Sequence, residues 1–243
     1  MPQDPEAAAF YVWLILTRIA LVTMLLPIVA SIKHLKALNK PLKVFYYFLI
    51  AHLITALGEQ VVFYLMNNKP HIIQPLLAFF SLKTFNFYEI FFILTNFSLL
   101  GYFFYLLLLP RPKAKWVLWT SYSLLAAILI NFFFIEGPDA YGSFNSTSLA
   151  IFNFVLPIIY MWILYHTDSK VPLNKNPYFW VNIGLIIPNL LSIFLYFAGD
   201  KISNTDYLLF IKIMIGRSII EMISQLLFTI GFSYGRYAQF LRQ

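Results

Sequence analysis

The sequence predicts an all-α polytopic membrane protein folded as a bundle of seven transmembrane helices. Three observations carry that prediction. Hydrophobic residues make up 60% of the 243 positions and charged residues only 11%, a balance foreign to soluble globular domains. The apolar residues gather in runs of about 20, the length a helix needs to cross the hydrocarbon core, without the two-residue alternation of an outer-membrane barrel. The Lys and Arg residues between those runs divide 11 to 3 when the loops are assigned alternately to two sides, the asymmetry that orients helical membrane proteins.

The spans fall at 10–32, 44–66, 84–109, 116–135, 144–167, 178–198 and 207–234. Lys33, Lys36, Lys40 and Lys43 fill the first loop, Arg111, Lys113 and Lys115 the third, and Arg236 and Arg242 the tail. That basic side is expected in the cytoplasm, with the amino terminus outside. The opening MPQDPEAAAF has acidic residues and no basic region before the first apolar run, so the first helix is expected to stay rather than be cleaved as a signal. The longest connection contains HIIQPLLAFF, too short to span and expected as an interfacial or re-entrant piece. Residues 1–243 thus form one transmembrane domain.

Within it, the segment from Leu25 aligns with the segment from Val155: Pro27 meets Pro157, Pro41 meets Pro172, and Tyr46-Tyr47-Phe48 meets Tyr178-Phe179-Trp180. The alignment predicts a 3+1+3 plan in which residues 10–109 and 144–234 are parallel three-helix units joined by a linker helix at 116–135.

Ionisable groups inside a membrane helix are expensive and normally face protein or water. At about 1.5 Å per residue, Arg18 lies about 12 Å, Glu59 about 10 Å, Glu89 about 8 Å and Arg217 about 15 Å below the outer surface. Two positive and two negative charges at one level can neutralise one another. They are expected to line an outward-facing charged pocket with Glu221 at its floor, or else to form ion pairs that only fix the packing. Arg217, Glu221 and Gln225 recur every fourth residue on one helix face. His52, Thr55 and Glu59 form a second stripe, and Glu89 with Asn96, Asn153 with Tyr160, and Asn182 with Asn189 recur at seven. The candidate ligand-binding set is Arg18, His52, Glu59, Glu89, Asn96, Arg217, Glu221 and Gln225. Pro27, Pro157 and Pro188 are candidate hinges, because each removes a backbone hydrogen bond.

Several functions are excluded on residue types. The net charge of +7 lies in alternate loops, so topology and not nucleic acid explains it. There is no cysteine, hence no disulfide or thiolate metal site. One intramembrane histidine, His52, cannot build a zinc hydrolase, and Lys212 lies too near the surface for a retinal lysine. No phosphate loop or nucleophile elbow occurs. No cofactor, metal or enzymatic activity is expected. The remaining partners are the lipid bilayer, a small polar ligand, and a cytoplasmic signalling partner or a second copy in a homo-oligomer. A receptor or sensor and a small-solute transporter are the two main readings, with a structural subunit of a membrane complex as a third.

Three segments carry a resemblance: FNSTSLAIFNFVLPIIY, NPYFWVNIGLIIPNLLSIFLYF and RSIIEMISQLLFTIGF. Over most of its length the chain resembles a family of small seven-helix integral membrane proteins of Bacteroidota to which no activity is assigned. The resemblance implies a bacterial inner membrane and acidic residues on the second and third helices, matched here by Glu59 and Glu89. That family often has His and Asn on its seventh helix, where this chain has Arg217, Glu221 and Gln225. In architecture alone the chain is similar to SWEET sugar transporters, nicotinamide riboside transporters and microbial rhodopsins.

Overall fold

The computed structural model describes residues 4–79, 86–109, 111–137, 143–167 and 171–241. Seven of its helices are long and apolar enough to cross a membrane, and among the described residues there is no strand. The spanning helices are α1 (Pro5–Ile32), α2 (Lys40–Asn68), α3 (Glu89–Leu108), α4 (Ala114–Ile135), α5 (Ser143–Tyr165), α6 (Pro177–Thr205) and α7 (Tyr207–Ser233).

Capping chemistry sets where several of them begin. The Asp4 carboxylate accepts the Glu6 N–H at 2.9 Å with Pro5 in the first turn, which starts α1 five residues earlier than hydropathy indicates. Asn39 and Asn176 cap α2 and α6 in the same way, each ahead of a proline in the first turn. The expected start of α3 at Thr84 lies outside the described residues; a 3-10 turn, Asn86–Tyr88, precedes Glu89. HIIQPLLAFF falls largely within a ten-residue helix, Pro70–Phe79, that packs on α2 and buries Ile73 and Leu77. At about 1.5 Å per residue it cannot cross a bilayer.

Of the three candidate hinge prolines, Pro27 alone coincides with a helix break. The α-helix ends at Thr23 and restarts at Leu25, because Pro27 has no N–H for the Thr23 carbonyl and its ring crowds that oxygen. Pro157 and Pro188 sit inside uninterrupted helices. Two π-helical turns supply other irregularities, Asn96–Leu100 in α3 and Asn131–Ile135 in α4. The two prolines aligned as repeat mates also differ in setting. Pro41 lies in the first turn of α2, while Pro172 lies ahead of the 3-10 turn Leu173–Lys175 and outside α6. Nothing in the structure supports the internal repeat.

The helices close into a ring: α1 packs on α2 and α7, α7 on α6, α6 on α5, and α3 on α2, α4 and α5. α3 is the most buried of the seven. Helix association inside lipid rests on close packing, and glycine permits two of the tightest approaches. A Cβ on Gly184 would stand 2.5 Å from the Phe228 ring, and one on Gly101 would stand 2.5 Å from the Ser121 hydroxyl. Toward the face where α2 begins, aromatic rings fill the bundle axis. Phe45 meets Phe103 and Phe228, each at 5.1 Å, and Phe232 at 6.0 Å. Phe45, Phe103, Phe104, Tyr178 and Phe232 are all buried to within 2% of full enclosure.

Candidate functional site

The charged site lies between α2 and α7, which run antiparallel. Phe45, His52 and Glu59 recur every seven residues along α2, a spacing that keeps them on one face. Opposite them α7 presents Phe232 and Phe228, then Gln225 and Glu221, then Arg217. The Nε of Arg217 donates to Oε1 of Glu221 at 3.0 Å, with side chains 29% and 40% exposed. Glu59 is within electrostatic reach of both Arg217 and Glu221, and His52 of Glu221. Tyr88, at the entrance to α3, is within reach of Glu59. One cation thus faces two carboxylates about 15 Å in from the start of α7.

Below this group polarity fades. The His52 ring packs at 5.6 Å from Phe48 and 5.2 Å from Phe92. Its enclosed Nδ1 has no hydrogen-bond partner among the described residues, and neither has the buried Oε1 of Gln225. The next residues along both helices are the phenylalanines of the aromatic layer. Phe45, Phe228 and Phe232 therefore close the site beneath.

Three of the sequence-selected residues stand elsewhere, which corrects the expected convergence of Arg18, Glu59, Glu89 and Arg217. Arg18 is exposed on the outer side of α1 and makes no hydrogen bond or ion pair to any described residue. Glu89 occupies the first turn of α3, where the helix dipole favours a carboxylate, and it accepts a hydrogen bond from the Ser146 hydroxyl on α5. Asn96 is turned toward α5 as well. Its Nδ2 donates to the Phe92 carbonyl at 2.8 Å and its Oδ1 accepts from Asn153 at 2.8 Å. Thr55 bonds back to the Ala51 carbonyl, and Asn182 and Asn189 to carbonyls of their own helix.

A second polar system, between α5 and its neighbours, is not apparent from the charges. It comprises Glu89 with Ser146, Asn96 with Asn153, and Asn131 with Asn145, whose Nδ2 to Oδ1 distance is 3.0 Å. Both π-helical turns begin at one of these asparagines. The seven-residue recurrence of Glu89 with Asn96 is the one sequence signal for it; nothing in the sequence pairs Asn131 with Asn145. Among the described residues no cluster of His, Asp or Glu is arranged to hold a metal ion. On the opposite face a cleft lies between α3 and α4, lined by Tyr105, Leu109, Arg111, Pro112, Ala114 and Lys115. Compared with protein-family models, curated proteins and solved structures, the chain matches none.

Proposed function

We propose that the protein is a seven-helix receptor or sensor of a bacterial inner membrane, oriented with its amino terminus outside. It binds a small polar or charged ligand in the site between α2 and α7 and signals to a partner on the cytoplasmic side. The observation that carries this reading is the stacking of two layers on the same pair of helices. The charged layer of Glu59, Arg217 and Glu221 lies above the aromatic layer of Phe45, Phe228 and Phe232, with His52 and Gln225 between them. A ligand entering from outside meets groups of both signs and then a seal, so its binding energy is available to shift helix arrangements rather than to complete a passage. The basic loops support the orientation, and the family resemblance supports the inner membrane.

A transporter is the second reading, favoured by the interruption of α1 at Met24 and the two π-helical turns, which are places where helices deform. One experiment separates the two. Purified protein is screened by thermal shift against small zwitterions, amines and carboxylates, and any stabilising compound is tested for counterflow in proteoliposomes. The sensor reading expects stabilisation that Glu221→Gln and Arg217→Gln abolish, without flux. Saturable counterflow of the same compound would overturn it in favour of transport.

A further inference from the structure

The outer face of α1 carries an arrangement that the charged site does not use. Ala20, Pro27 and Ser31 are buried on the face that packs against α7. The opposite face repeats with spacings of four and three as Tyr11, Ile15, Arg18, Val22, Leu25, Val29 and Ile32. Its six apolar members are between 41% and 64% exposed. That spacing is the seam by which one helix packs lengthwise on another. Lipid would cover an all-apolar seam equally well, but this one has an arginine at its centre.

Arg18 stands 13 residues after Pro5 and 14 before Ile32, which puts it about 20 Å from either end of the helix. From there its guanidinium cannot reach the headgroups that long basic side chains near helix ends reach. A cation held at that depth needs a counter-charge, and no described residue of the chain gives it one. A second copy is a poor source. Its matching seam would bring another Arg18, and the carboxylates within its spans, Glu59, Glu89 and Glu221, are engaged inside their own bundle.

We propose that the outward seam of α1 is an intramembrane docking surface for a transmembrane helix of another protein, one carrying a carboxylate at the depth of Arg18. The apolar positions on either side fix its register, and the Arg18 ion pair selects the partner. This surface stands apart from the ligand site and does not depend on the sensor reading.

The test uses the full chain in lipid vesicles with synthetic transmembrane peptides of about 24 residues, an apolar helix with one central Glu, Leu or Lys and one cysteine. Because the chain has no cysteine, Val22→Cys supplies a single thiol on the seam and Phe194→Cys a control on the exposed side of α6. With diamide added as the oxidant of the two thiols, the Glu-centred peptide should form a disulfide with Val22→Cys about tenfold faster than the Leu-centred one, a difference equivalent to one decade in affinity. Arg18→Leu should bring the two rates level, and Arg18→Glu should reverse the preference toward the Lys-centred peptide. Equal rates for the Glu- and Leu-centred peptides on the native Arg18 would overturn the proposal. So would the same preference at Phe194→Cys, or a disulfide between two copies at Val22→Cys that outcompetes every peptide.

Discussion

The Nδ2 amide of Asn153 donates to Oδ1 of Asn96 at 2.8 Å, and the two residues stand 57 positions apart, the same offset that separates Ser146 from Glu89. Phe103 and Tyr160 repeat the offset a third time, and both rings pack on Tyr178, at 6.4 and 6.0 Å. α3 and α5 are parallel helices, so a constant offset with a seven-residue period means a ladder of rungs at one register. Two rungs are direct polar contacts, and at the third the two rings meet through Tyr178 of α6.

The middle rung should be measurable. Replacing Asn96 or Asn153 alone with Leu leaves one buried amide facing apolar atoms, and the loss in stability should be about 1–2 kcal/mol for either change. The double substitution should lose clearly less than the two single losses added together, since neither polar group is then left alone. Unfolding by SDS in mixed micelles reads all three. Strictly additive losses would mean the amide pair has no coupling of its own.

The ion pair on α7 follows the same logic with charges. Arg217→Leu leaves Glu221 and Glu59 without their shared cation, whereas Arg217→Leu combined with Glu221→Leu removes one of the stranded carboxylates. Breaking a fully buried pair from one side costs about 3–5 kcal/mol. These side chains are 29% and 40% exposed, so solvent screening brings the expected loss down to about 1–2 kcal/mol. The double variant should be the more stable of the two in the same SDS titration. If the single variant is the more stable, Arg217 does not serve as the counter-charge at this site.

Depth was legible in the sequence for Glu59, Arg217 and Glu221, and rotation about the helix axis was not. Glu59, Arg217 and Glu221 come within reach of one another because α2 and α7 turn those faces toward each other, as the Phe45 contacts with Phe228 and Phe232 also show. Arg18 has a similar depth, yet it points outward. In a soluble helix the buried face is apolar and the exposed face polar, so rotation can be read from the pattern. Here both faces of α1 are apolar. The buried series through Ala20 and Pro27 and the exposed series through Ile15 and Val22 are both apolar and differ in size, not in polarity. Glu89 failed for a different reason. Its helix begins at Glu89 itself, so a residue expected a turn or more inside the span lies at its first turn, where Ser146 can reach it. The caps at Asp4 with Pro5 and at Asn39 with Pro41 are local in the sequence, but hydropathy alone set the expected starts and placed them late, at residues 10 and 44. The π-helical turns have no local signature and depend on what the adjoining asparagines bond across the bundle.

Close approach of α6 and α7 at Gly184 gives a steric prediction. A Cβ there would stand 2.5 and 2.9 Å from Phe228 ring atoms, and Phe228 is itself packed against Phe45. The ring has no free space in which to retreat. Gly184→Val should lower stability by about 1–3 kcal/mol through overpacking, and Phe228→Ala should partly restore the double variant by vacating the contact. Thermal unfolding in detergent checks this. A Gly184→Val protein as stable as the native one would mean the two helices separate freely at this point.

The last prediction concerns the carboxyl-terminal turn, held at the face where α2 and α6 begin. The Tyr178 hydroxyl, on a side chain only 1% exposed, donates to Asn39 Oδ1 at 2.8 Å. The same oxygen accepts the Leu42 N–H at 3.4 Å, and Asn39 Nδ2 donates to the Ala238 carbonyl at 3.4 Å. One side chain therefore caps α2, satisfies a buried phenol on α6 and ties down the 3-10 turn Gly235–Phe240. Tyr178→Phe removes one of these bonds and should lower stability by about 1 kcal/mol. Asn39→Ala removes all of them and strands the phenol, so the loss should be about 2 kcal/mol, the sum of a lost cap and an unpaired buried donor. The two variants should also differ at the tail. Trypsin should cleave after Arg236 faster in Asn39→Ala than in Tyr178→Phe, because only the former frees Ala238. Unchanged protection of Arg236 in Asn39→Ala would show that the turn is held by the packing of Leu38 against Gly235 and not by the asparagine.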